Sequence, residues 1–200
     1  MSIYTIVLFV HIIGAIGLFL SIGIWLFILV GLRRAQRVEE VRALMHVNDL
    51  SGRVGDASGL VLLIAGLYLA LSAWSLLTSW ILVALISLIL ILPTNAALIG
   101  PRRSALVKQL ERSAPEGEIS LALSQHIHNP VLWATSQTTA VLLLGIVFLM
   151  TTKPDLGGSL IVMAVALVLG LLSSLLVSRR RRTPRQEVAD QRVQDNVSAS

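Results

Sequence analysis

Four stretches of this chain contain no Asp, Glu, Lys or Arg: Met1 to Leu32, Ala57 to Pro101, Ile119 to Thr152 and Leu156 to Ser178. Each can cross a bilayer, because a helical span needs about 20 predominantly apolar residues at roughly 1.5 Å of rise per residue. As a single helix, Ala57 to Pro101 would run about 68 Å, more than twice the roughly 30 Å hydrocarbon core, so it must fold back on itself. The turn falls at Ser72 to Ser79, a polar segment that contains Trp74 and has Trp80 just beyond it; indoles settle at the headgroup level. In lipid every backbone N–H and C=O must be satisfied within the segment, and an apolar run without strand-like alternation does that as a helix. The pattern therefore predicts an all-α polytopic membrane helical bundle with five transmembrane helices. Their approximate limits are Ile3 to Leu32, Ala57 to Leu71, Trp80 to Leu98, Pro130 to Met150 and Ser159 to Val177. Composition agrees, with 55% hydrophobic and 14% charged residues and a mean hydropathy of +0.81, where soluble domains carry roughly 25% charged residues.

Charge placement sets the expected orientation. Of 16 Lys and Arg, all but Lys153 lie in three segments: between spans one and two, between spans three and four, and after span five. The positive-inside rule assigns those segments to the cytoplasm, which puts the N-terminus outside and the C-terminus inside. The net charge of +5 is thus a topology signal, and no nucleic-acid-binding motif accompanies it. The first apolar run lacks a basic leader and a small-residue cleavage site, so it is expected to be a retained span. Val38, Val41, Leu44 and Met45 recur at helical spacing among Arg and Glu, which predicts a short amphipathic helix along the cytoplasmic membrane surface. Ser104 to Gln125 reads the same way, interrupted by Pro115 and Gly117. Arg53 and Asp56 are expected to be an interfacial anchor and the N-terminal cap of span two. Residues 1–178 form one transmembrane domain, and residues 179–200 a basic cytoplasmic tail with too few apolar residues to fold.

Shifting the chain by 79 residues lays Leu62 to Leu71 over Val141 to Met150 and Gly66 over Gly145. This suggests one leading span followed by two similar hairpins.

The chain has no cysteine, which removes thiolate chemistry, disulfides and Cys lipidation. No nucleophile motif, phosphate loop, zinc-ligand spacing or carboxylate within a span appears, so catalysis and carboxylate-based proton coupling have no candidate residue. The embedded polar residues remain. His11 is the one histidine well inside a span, and residue counting places Tyr68 and Ser87 at similar depth. Gly14 and Ala15 lie beside His11 and leave room against the helix. His11 reads either as a ligand to haem or a metal, or as a neutral imidazole hydrogen-bonded between helices. His126 and His128, two apart, point about 200° away from each other on a helix and read as interfacial; His46 reads as solvated. A second polar layer comprises Asn95 after Pro93, Ser136, Gln137 and Thr138, and Ser173 with Ser174. It is either a vestibule or interhelical bonding around a proline kink, with Thr94 and Asn95 available to backbone groups freed by Pro93.

The run YTIVLFVHIIGAIGLFLSIG, together with GLYLALSAWSLLTSWILVALI, resembles a family of uncharacterised bacterial integral membrane proteins defined by a domain of unknown function, DUF2269. The likeness covers about the first half of the chain and implies a bacterial cytoplasmic (inner) membrane location. More distantly, the placement of His11 is similar to the first span of copper-resistance D proteins and of the HemJ type of protoporphyrinogen oxidase. The latter likeness implies haem, with His11 the position to watch; haem b or copper is the cofactor expectation. The leading functional expectation is a non-enzymatic membrane component that binds or scaffolds others, in contact with the lipid bilayer and with protein partners or further copies of itself, and not with nucleic acid. The alternative is a haem- or metal-binding redox protein using His11, with Tyr68 as its neighbour. A small-solute permease, resting on the repeat and the polar layer, is the third.

Overall fold

A computed structural model describes residues 2–114 and 116–179. The chain forms α1 (Ile3–Arg34), α2 (Val38–Ala73), α3 (Ser79–Leu98), α4 (Gly100–Arg112), α5 (Leu121–Ile127), α6 (Pro130–Thr152) and α7 (Leu156–Arg179). Among the described residues, α1, α2, α3, α6 and α7 supply the five segments long and apolar enough to cross a membrane. The all-α, five-span bundle is the architecture of this protein. Arg180 to Ser200, nearly all of the expected basic tail, lie outside the described residues.

Local sequence explains the helix limits. Ser2 caps α1 by accepting from the Thr5 N–H. Asn129 caps α6 by accepting from Val131 N–H at 3.0 Å, with Pro130 in the first turn, where a missing N–H costs nothing. Asp155 accepts from Gly158 N–H at 2.8 Å at the start of α7. The fold-back occupies Trp74 to Thr78, inside the expected turn, and Trp74 and Trp80 meet edge-to-face with centroids 5.5 Å apart.

The segment before span two differs from expectation. Val38 to Met45 is not a separate helix on the membrane surface; it is the first part of α2, a 36-residue helix about 54 Å long. Asp56 is therefore not a cap but an exposed residue in mid-helix. Gly52 and Gly55 are the weakest helix formers before Asp56, and α1 occupies the space at Gly55, where an added Cβ would collide with Ser21. Ser21 Oγ donates to the Ser51 carbonyl at 2.9 Å in the same seam. An added Cβ on Gly14 would meet the Leu62 backbone at 3.0 Å, and one on Gly17 would collide with Ser58. Small residues thus let α1 and α2 run antiparallel at close range over their full lengths, as membrane helices do when packing replaces the hydrophobic drive.

The surplus length of α1 and α2 builds a densely packed region at the end carrying most arginines, here called the basic end. Its core joins Ile28, Leu29 and Leu32 of α1, Val41 and Met45 of α2, Leu106 and Leu110 of α4, Leu123 of α5 and Leu132 of α6. Leu106, Leu123 and Val41 have 0% exposure. Arg103 locks α4 to α2: Asp49 accepts from its Nη2 at 2.7 Å, and the buried Asn48, its amide turned so that the oxygen faces the guanidinium, accepts from Nη2 at 2.8 Å and Nε at 3.1 Å. A second core, built from Val83, Ala84, Ile91, Leu143, Ile146 and Leu149, joins α3 to α6.

The expected equivalence of two hairpins does not hold in the packing. α6 and α7 pack along each other, and Gly145 faces Ala166 and Met163 of α7. α2 packs on α1 instead of α3, and Gly66 faces His11 of α1. Sequence alignment of apolar runs matched the two glycines, but different neighbours use them.

Candidate site between α1, α2 and α3

Because α2 follows α1 and α3 follows α6, the α2–α3 hairpin is splayed, and a pocket of about 250 Å³ opens between them at the end opposite the basic one. Its walls are apolar: Leu8 from α1, Leu62, Gly66 and Leu67 from α2, and Ala84, Leu85 and Leu88 from α3. Trp74, Trp80 and Lys153 border it at the turn, and His11 borders it further along α1. His11 lies about 12 Å along the helix from Ile3.

His11 is held on two sides. Its Nδ1–H donates to the Leu62 carbonyl at 3.1 Å, and a carbonyl can only accept, so Nδ1 carries the proton. In the neutral ring, Nε2 then keeps a lone pair, and among the described residues it takes no hydrogen bond. The absence of a side chain at Gly66 makes this approach possible, since a Cβ there would lie 2.9 Å from His11 Cε1 and 3.2 Å from Nδ1. His11 therefore faces another helix, as its need for a partner in lipid requires.

Neither expected neighbour is that partner. Tyr68 is 43% exposed and does not border the pocket. It follows Gly66 by two positions, about 200° around α2 from the face that meets His11. Ser87 donates to the Val83 carbonyl of its own helix at 2.7 Å. Residue counting gives depth but not azimuth, and a backbone carbonyl leaves no mark in sequence.

Lys153 is the residue whose role sequence reasoning missed, having used it only as the odd member of the charge count. It terminates α6 in the left-handed conformation, φ 50° and ψ 52°, with its N–H donating to the Leu149 carbonyl. Its Nζ stands 4.6 Å from the Trp74 ring centroid and 5.9 Å from that of Trp80, within cation–π range.

Among the other polar candidates, Thr138 Oγ1 is buried without a hydrogen-bond partner, and several more serve packing. Trp25 Nε1 donates to Ser136 Oγ at 2.9 Å, and Thr139 Oγ1 donates to Asn95 Oδ1 at 2.8 Å, tying α1 to α6 and α3 to α6. Thr94 Oγ1 donates to the Leu90 carbonyl at 2.6 Å, so neither Thr94 nor Asn95 serves the Ile89 carbonyl freed by Pro93. Ser173 and Ser174 donate to carbonyls of their own helix. His46 is exposed; His128 is exposed with Nδ1 3.0 Å from the Ser124 carbonyl, and His126 is half-buried. Among the described residues, no three His, Cys, Asp or Glu come together as a metal-binding group.

No curated protein and no solved structure matches the chain. A family model described as a predicted integral membrane protein, DUF2269, matches residues 5–154, taking in α1 to α6, His11, Gly66 and Lys153. The chain belongs to that family of integral membrane proteins.

Proposed function

We propose that this protein is a non-enzymatic binding protein of the bacterial cytoplasmic membrane, which takes an apolar or amphipathic small molecule from the lipid into the pocket between α1, α2 and α3. In this reading the N-terminus and the pocket face the outside and the basic end faces the cytoplasm, as the distribution of arginines favours. The observation that carries it is the splay of α2 from α3, which leaves a mostly apolar pocket with a single imidazole along one wall. Binding sites of this kind are mostly apolar with a few placed polar groups.

Trp74 and Trp80 report on the pocket once Trp25→Phe and Trp133→Phe remove the signal from the basic end. A brominated alkyl probe added to that variant in detergent should quench the remaining emission saturably, and Leu67→Phe with Leu85→Phe should abolish saturation by filling the space. Quenching that rises linearly with probe, as for collision at a detergent surface, would defeat the reading.

A second reading, haem binding, is favoured by one observation: Nδ1–H donation to Leu62 leaves Nε2 as the coordinating nitrogen, the arrangement common among ligating histidines. A single axial ligand suffices for haem. Copper fits less well, since His11 stands without other donors. Protein isolated from haem-replete cells should then show a Soret band that His11→Ala removes; a colourless wild type would reject it.

A further inference from the structure

We infer that the pocket's ligand is a single-chain amphiphile with an anionic head, the head at Lys153 and the chain running along α1 toward His11. This rests on the reading of the pocket as a binding site and adds the charge and shape of the occupant.

Among the described residues, Lys153 is the one Lys or Arg at its end of the bundle. Two features hold its ammonium at the pocket border. The backbone is fixed in the left-handed region, uncommon for a residue with a Cβ, and Nζ rests against two indoles that themselves pack edge-to-face. The nearby acid in sequence, Asp155, is occupied otherwise: its Oδ1 accepts from Gly158 N–H and caps α7. Neither ion pair found among the described residues involves Lys153; they join Arg37 to Glu39 and Arg103 to Asp49. A cation held at the border of an apolar pocket without a carboxylate partner complements an anion in the position where a headgroup would sit. The indoles give the ammonium a place without neutralising it.

Shape restricts the rest of the molecule. Past Tyr4, on the first turn of α1, the wall is formed by Leu8, Gly66, Ala84 and Leu88 as far as His11. The volume of about 250 Å³ lies just below the range of roughly 300–1,000 Å³ usual for small-molecule sites, which favours one alkyl chain over two.

The test compares chains that differ only in the head. Dibromostearic acid, its methyl ester, a brominated alkyl phosphate and a brominated alkyltrimethylammonium are titrated against the Trp25→Phe, Trp133→Phe protein in an uncharged detergent, and the concentration for half-maximal quenching is read. The carboxylate should bind at least about tenfold more tightly than the ester, as expected for one charge-assisted contact, and the ammonium most weakly. Lys153→Asn, neutral and tolerant of the left-handed conformation, should bring the carboxylate to the level of the ester, and Lys153→Arg should restore the preference. An alkyl phosphate that binds more tightly than the carboxylate with the same Lys153 dependence supports the anionic class and assigns its head to phosphate. Equal binding of carboxylate and ester, or a preference that survives Lys153→Asn, overturns the inference while leaving the pocket a site for apolar chains. Linear quenching by all four probes removes the pocket reading itself.

Discussion

The two ends of this molecule solve opposite problems. At the basic end, α1, α2, α4, α5 and α6 converge on a core in which Leu106, Leu123 and Val41 are fully buried, and Arg103 stitches α4 to α2. At the Lys153 end, α2 and α3 part, Trp74 and Trp80 stand at the turn, and an apolar pocket remains between the helices. The difference shows where packing is compulsory. Outside the hydrocarbon, water drives apolar side chains together, so the amphipathic segments must close on one another. Within it, lipid is as apolar as leucine, so helices can stay apart wherever no small-residue seam or polar bond draws them together.

The sharpest way to break this comparison is to truncate one leucine at each end. Leu123→Ala should cost about 2–5 kcal/mol, the range for a buried leucine whose surroundings relax only in part. Leu88→Ala, at a wall already beside open space, should cost less than half as much. Equilibrium unfolding in mixed detergent and dodecyl sulfate micelles measures both, and equal losses would end the distinction.

The α1–α2 seam, which runs through both ends, should be sensitive along its length. Gly14→Val places new atoms against the Leu62 backbone and should cost about 1–3 kcal/mol by overpacking. Gly23→Val, where an added Cβ meets nothing within 4 Å, is the control and should be close to neutral in the same assay.

His11 and Gly66 sharpen the description of the pocket wall. His11→Ala should cost about 0.6–2 kcal/mol, as for interhelical hydrogen bonds in membranes. Gly66→Ala alone should cost a similar amount by displacing the imidazole, and much less in a His11→Ala background. A double-mutant cycle without coupling would show that the two residues do not meet.

The smallest expected effect lies in the tie between α2 and α4. Arg103 is partly exposed, so Arg103→Ala should cost only about 1 kcal/mol through the bonds to Asn48 and Asp49. Its signature should be faster amide exchange in α4 without change near Trp80. Exchange that rises equally at both ends would mean the basic end is not a separate packed region.

Sequence by itself determined the solvent and the architecture. Long uncharged runs can be satisfied in lipid only as helices, and a run twice the bilayer thickness has to turn, which placed Trp74 to Thr78 inside the expected segment. It also singled out His11, since an imidazole inside a span needs a partner whatever the fold. What sequence left open was azimuth and neighbour. Depth along a helix is additive in residue number, but which face meets α1 depends on which helices pack together. That choice rested on Gly14, Gly17 and Gly55 admitting α1 against α2, a contact between segments far apart in the chain. Only the tertiary structure decided that His11 bonds to the Leu62 carbonyl over Gly66, that Val38 begins a helix continuous with span two, and that Lys153 stands at the border of a pocket. Each depends on the close approach of separate helices, and the free energy of that approach belongs to pairs of surfaces that no single segment of sequence contains.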